Sequence, residues 1–183
     1  MRTLVTLVFL LSSILTLPQD QNVPKEIAAL SFLVGDWSIE NFENKKDDGW
    51  VSTGSSKADI RYEHDGRFLS ERARYITGFG EINMITHIGF DSRVNTYKLS
   101  AMDKEYGLMD IYFGEWSDKR LVFTNLESDR PISLEDGQKL SFRLSYMDIG
   151  QDGFTHLVEG TFDGGATWFI FSKSVYVRAN KRD

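Results

Sequence analysis

From Trp37 onward, apolar and polar residues alternate with a period of two, which is the pattern of a strand with one buried face. The alternation predicts strands at Asp36–Phe42, Val51–Tyr62, Arg67–Tyr75, Glu81–Phe90, Asn95–Ala101, Leu108–Glu115, Leu121–Leu126, Lys139–Asp148, Phe154–Phe162 and Thr167–Arg178. Turn residues separate them, among them Asp65-Gly66, Gly78-Phe79-Gly80, Asp91-Ser92, Glu135-Asp136-Gly137 and Asp163-Gly164-Gly165. Ahead of this region, Pro24 suits the first turn of a short helix over Lys25–Phe32, with Ile27, Leu30 and Leu33 on one face. About ten short strands with hairpin-length connections mean a sandwich or a barrel, and an up-and-down meander is the simplest topology. Closure would remove the unpaired edges. The expected fold is all-β: a single antiparallel β-barrel over 35–180, preceded by a linker and short helix over 19–34.

The first residues change the picture of where the chain works. Met1-Arg2 is followed by an apolar run from Leu4 to Leu17, broken only by Thr6, Ser12, Ser13 and Thr16. That run is shorter than the roughly 20 apolar residues of a membrane span and has the basic start of an export signal. Residues 1–18 are therefore read as a signal peptide, cleaved near Leu17 to Gln19, and an uncleaved anchor is the alternative. The expected location is secreted or periplasmic, with no stable membrane span after cleavage. The sequence holds no cysteine, which excludes disulfides, thiol chemistry and a lipoprotein anchor.

The charges are 21 Lys and Arg against 27 Asp and Glu, a net of −6, and they lie scattered along the chain. No basic stripe is present, so a nucleic-acid partner is not expected. An aromatic content of 13% favours strands around a lined interior.

Five short motifs fall in order along the chain. They are Leu33-Val34-Gly35-Asp36-Trp37, Gly66-Arg67-Phe68-Leu69, Gly89-Phe90-Asp91, the hairpin Asp163-Gly164-Gly165-Ala166-Thr167-Trp168, and Tyr176-Val177-Arg178. This order resembles an uncharacterised secreted family with lipocalin-like architecture, domain of unknown function 1579. The resemblance implies a lipocalin-like β-barrel and brings no reaction or cofactor with it. Read on its own, a Gly-x-Trp on the first strand and an arginine on the last suit a barrel whose closure stacks Arg178 on Trp37, a contact of about 0.5–2 kcal/mol. The segment from Thr161 to Trp168 also fits the Asp-box pattern of sialidase propellers, which carry several copies. A single copy reads as a hairpin turn, with the Asp capping backbone amides and the glycines supplying positive φ.

The candidate chemistry is sparse. His64, His87 and His156 show no metal-ligand spacing. His156 is the one placed to serve as an axial ligand in a haem barrel, against the simpler reading of an ordinary strand histidine. No cofactor or metal is expected on this reading. Arg72 and Arg74 share a face of their strand and could clamp an anion inside, although surface ion pairs are the commoner role for such pairs. On the last strand, Trp168, Ile170, Ser172, Ser174, Tyr176 and Arg178 alternate with a more apolar set. If that face is the inner one, its mixed polarity suits a small ligand with an apolar body and a few polar handles. The candidate ligand-binding residues are thus Trp37, Arg72, Trp168, Ser172, Ser174, Tyr176 and Arg178. The leading expectation is an exported barrel that binds a hydrophobic or amphipathic small molecule. An isomerase or hydrolase using the interior, and a filled barrel with a structural role, are the alternatives. Catalysis has no positive support in the residues, and the oligomeric state stays open.

Overall fold

Each of the alternating runs forms a strand in the structure, a computed structural model that describes residues 23–45, 48–128, 131–134 and 136–179. The expected signal peptide, 1–18, lies outside the described residues. In chain order the strands are β1 Gly35–Lys45, β2 Gly49–Glu63, β3 Phe68–Thr77, β4 Gly80–Asp91, β5 Thr96–Asp103, β6 Met109–Ser117, β7 Arg120–Thr124, β8 Ile132–Ser133, β9 Lys139–Met147, β10 Gly153–Thr161 and β11 Phe169–Arg178. Successive strands pair antiparallel, with β7 pairing β9, and β11 returns to pair with β1. The sheet therefore closes into an antiparallel barrel of ten strands. The two-residue β8, which the alternation had not predicted, lies outside the ring on β9.

One end of the barrel is stoppered by the segment before β1. A single helix over Lys25–Phe32 was expected. The chain instead makes one α-turn, α1 Lys25–Ala28, and then a 3-10 turn over Ser31–Leu33. The reason is in the spacing. Ile27, Leu30 and Leu33 recur every three residues, which a tighter winding near three residues per turn keeps on one face. All three are buried, each such side chain contributing about 1.5–3 kcal/mol relative to exposure. The Trp37 indole N–H donates to the Leu33 carbonyl at 2.7 Å, and the Tyr97 hydroxyl donates to the Glu26 carbonyl at 2.9 Å. These two bonds tie the stopper to β1 and β5.

Closure falls where the sequence placed it. Trp37 and Arg178 are cross-strand partners, and the guanidinium carbon lies 4.4 Å from the indole centroid. Gly35 has φ +149°, and a Cβ there would stand 2.6 Å from Arg178 Nη1, so glycine leaves the space the arginine occupies. Above the stopper the inner face is aromatic. Phe154 stacks on Tyr176 with centroids 4.4 Å apart and meets Trp37 edge-on at 5.0 Å. This lower half is a packed core. Among the described residues no helix is long and apolar enough to cross a membrane.

Candidate functional site

The upper half of the barrel holds a cavity of about 610 Å³ that opens at the rim by Tyr106, Leu108 and Met109. Its walls come from the inward positions of most strands. Met84 on β4, Leu99 and Ala101 on β5, Tyr112 on β6 and Leu144 on β9 line it with apolar surface. Its floor is polar, and each group there is placed by the same alternation that builds the walls.

On β3 the inward row is Leu69, Glu71, Ala73 and Tyr75, so a carboxylate sits in the middle of an apolar series. The Tyr176 hydroxyl donates to Glu71 Oε1 at 2.8 Å and the Thr86 hydroxyl donates to Oε2 at 3.1 Å. The Tyr75 and Tyr176 hydroxyls are 2.7 Å apart. Since Tyr176 gives its proton to Glu71, Tyr75 is the donor of that pair. Burial raises the Glu71 carboxyl above its ordinary range, outweighing the hydroxyls from Tyr176 and Thr86 that favour its charge. Burial, reinforced by the Glu71 charge, likewise holds the Tyr75, Tyr146 and Tyr176 phenols well above their usual value.

A second polar chain runs from β11 through β1 to β2. The Ser174 hydroxyl donates to Asn41 Oδ1 at 3.0 Å, and the Asn41 amide donates to the Gly54 carbonyl at 3.0 Å and to Ser56 Oγ at 2.9 Å. His156 on β10 stands beside it, in register with Ser174 on β11 and Tyr146 on β9. Its ring stacks on Tyr146 with centroids 4.8 Å apart and planes 22° apart. Burial lowers its pKa to about 4, so the imidazole is neutral at physiological pH. Its Nε2 is buried and has no hydrogen-bond partner among the described residues. That is uncommon, because a buried polar atom left unpaired costs about 1–3 kcal/mol.

The seven candidates drawn from sequence divide. Ser172 and Ser174 line the cavity. Tyr176 faces inward just beneath it, joined to Glu71, and Trp37 lies lower still in the packed core. The other three are corrected. Arg178 covers the closed end, where its Nη1 donates to the Val34 carbonyl at 3.0 Å, so it does not reach the cavity. Arg72 is exposed on the outer face opposite Asp59, because the parity that turns Glu71 inward turns its neighbour out. Its companion Arg74 pairs with Glu81 at 3.5 Å, also outside.

Trp168 is displaced by a β-bulge. Val158 pairs with Ser172 while Glu159 pairs with Ile170, which leaves Phe171 as an extra residue on β11. Beyond the bulge the faces exchange. Phe171 lines the cavity, and Trp168 stacks under Arg143 at 4.4 Å, away from it. Glu71, Tyr75, Asn41 and Tyr146 were missed by the sequence reading. The first was legible in principle, as the one acid in the inward row of β3.

The Asp-box segment is the tight turn between β10 and β11. Asp163 accepts from the Thr167 hydroxyl at 2.6 Å, from the Thr167 amide at 2.9 Å and from the Thr161 hydroxyl at 2.7 Å, which lowers its pKa to about 2. Gly164 and Gly165 take positive φ. Among the described residues no group of three or more His, Asp or Glu is arranged to hold a metal ion.

The model of a family described as proteins of unknown function, DUF1579, matches residues 24–178. Among solved structures, the chain is similar to that titled the crystal structure of Rv2717c from M. tuberculosis. The two share 14% identity, with 87% of this chain and 100% of that chain covered and a TM-score of 0.59. That likeness is one of fold. No curated protein matches the chain.

Proposed function

The chain belongs to the DUF1579 family, whose function is unknown, and we propose that it binds a small molecule with an apolar body and a polar end inside its barrel. One observation carries the reading: a largely apolar cavity of about 610 Å³, open to solvent at its rim, ends on a polar floor where a buried histidine nitrogen lacks a partner among the described residues. The volume falls within the roughly 300–1,000 Å³ of small-molecule sites, which likewise pair apolar walls with a few placed polar groups. A filled barrel would leave no such space. The signal-like residues 1–18 extend the proposal to a protein that meets its ligand in the periplasm or outside the cell.

An enzymatic reading draws on Glu71 and His156, two titratable groups of one cavity whose pKa values shift in opposite directions. It is the weaker one, since both Glu71 oxygens already accept hydroxyls and Glu71 has no hydrogen bond to His156.

Native mass spectrometry of protein purified from its own host, followed by titration with the neutral fluorophore N-phenyl-1-naphthylamine, tests the binding reading. A co-purified small molecule, or saturable fluorescence enhancement, is expected. A protein that carries nothing and leaves the fluorophore unchanged would remove the reading. Amino-terminal sequencing of the same material tests export, which recovery of intact Met1 from the cytoplasm would contradict.

A further inference from the structure

Resting on that reading, we infer that the cavity selects its ligand by head group: it takes a long-chain alcohol, with the hydroxyl against His156, in preference to the matching carboxylate or amine.

His156 is 7% exposed and lines the cavity, and its Nε2 has no partner among the described residues. Two of the hydroxyls around it donate elsewhere. The Tyr75 hydroxyl is given to Tyr176, the Ser174 hydroxyl is given to Asn41, and the Tyr146 ring lies stacked on the imidazole. Nothing among the described residues satisfies Nε2, and the open space that His156 borders is the cavity. A neutral imidazole carries one proton on either nitrogen, so Nε2 is an acceptor in one tautomer and a donor in the other. A hydroxyl, which donates and accepts, meets both.

The charge distribution sets the discrimination. Glu71, Glu43, Asp103 and Asp110 are among the lining residues, and Lys173 is the sole cation among the described ones. The Lys173 ammonium lies against the Trp50 and Phe42 rings, at 4.1 and 4.9 Å from their centroids, and does not reach the floor. A carboxylate head would give up its hydration with no counter-charge to receive it, next to a buried acid. An ammonium head fares little better. Both Glu71 oxygens already hold hydroxyls, and burial raises the pKa of that carboxyl. Above the floor, Leu99, Ala101, Leu144 and Phe171 provide the apolar channel that an alkyl chain fills.

The test is displacement of N-phenyl-1-naphthylamine from the purified protein at pH 7.5 by decan-1-ol, decanoate and decylamine, which share one chain length. Decan-1-ol is expected to displace at concentrations at least tenfold lower than either ion. In His156→Leu, with displacement read against that variant's own fluorophore affinity, the alcohol's advantage falls below threefold. His156→Gln, whose amide also donates and accepts, retains most of it and serves where the leucine variant does not fold. Decanoate or decylamine displacing as well as decan-1-ol would overturn the head-group inference and leave the binding reading intact, as would an unchanged alcohol preference in His156→Leu. Failure of the fluorophore and all three amphiphiles to bind would overturn both.

Discussion

At the scale of single residues the interior turns on Glu71, a carboxyl buried among hydroxyls with no cation beside it. Its pKa is raised chiefly by burial, so the folded state holds the proton more tightly than the unfolded chain. The stabilising part of that linkage is present below the ordinary carboxylate value and is lost as pH rises through the folded pKa. Glu71→Gln removes the ionisation, so its stability relative to wild type should improve steadily between pH 4 and pH 8 in urea unfolding. A difference independent of pH would show that Glu71 is not the group titrating. His156 has the opposite sign. Its pKa is lowered by burial from 6.5 to about 4, so the unfolded chain binds the extra proton first and acid destabilises the fold. The cost accrues as pH falls from about 6.5 to 4 and reaches on the order of 3 kcal/mol. His156→Leu should flatten that limb of the stability curve while leaving the limb above pH 7 unchanged. Glu71 did not stand out in the sequence, and His156 could be read as a haem ligand or as an ordinary strand histidine, for one physical reason: an isolated acid or histidine in a strand declares its environment only once the facing strands are known.

At the scale of elements, closure by β1 and β11 depends on few side chains. Trp37 fills the space between the stopper and Phe154, and Arg178 lies over its ring and reaches Val34. Trp37→Ala should cost about 3–5 kcal/mol, as truncation of a buried aromatic does. Arg178→Ala should cost at most about 1 kcal/mol, the lower part of the cation–π range that applies at an exposed site. Equal losses from the two in denaturant unfolding would mean that the arginine, not the indole, holds the ends together.

Strand existence, order and closure were legible in the chain because period-two alternation and turn glycines are local signals. The two departures have local causes as well. The predicted helix gives way to a 3-10 turn because its apolar residues repeat every three. The inward face of β11 was misread above Ser172 because one extra residue, Phe171, reverses the alternation without altering composition. The bulge makes a direct prediction. Phe171→Ala should weaken binding of N-phenyl-1-naphthylamine several-fold, whereas Trp168→Ala, which removes a partner of Arg143 on the outer face, should leave it unchanged. The reverse pattern would put Trp168 inside and remove the bulge from the argument.

For the whole molecule, one end carries a stopper and a packed aromatic layer, and the other half is hollow. Nothing along the ring offers an unpaired edge, since each of the ten strands is paired on both sides. A barrel hollow over half its height forgoes part of the packing that a filled one would have, and a ligand restores it. Binding should therefore stabilise the native state as a whole, by about 2.7 kcal/mol at a ligand concentration one hundred times Kd, with the negative heat-capacity change of apolar burial. Ala101 tests whether that effect arises in the cavity, because it is 8% exposed and lines the wall on β5. Ala101→Trp places an indole in the open space, two strands across from Glu71 and away from the closed end. The variant should fold and should lose the ligand-dependent rise in its urea midpoint. Should the rise persist at full size in a folded Ala101→Trp protein, the stabilising ligand would be binding outside the barrel, and the hollow half would be no part of its site.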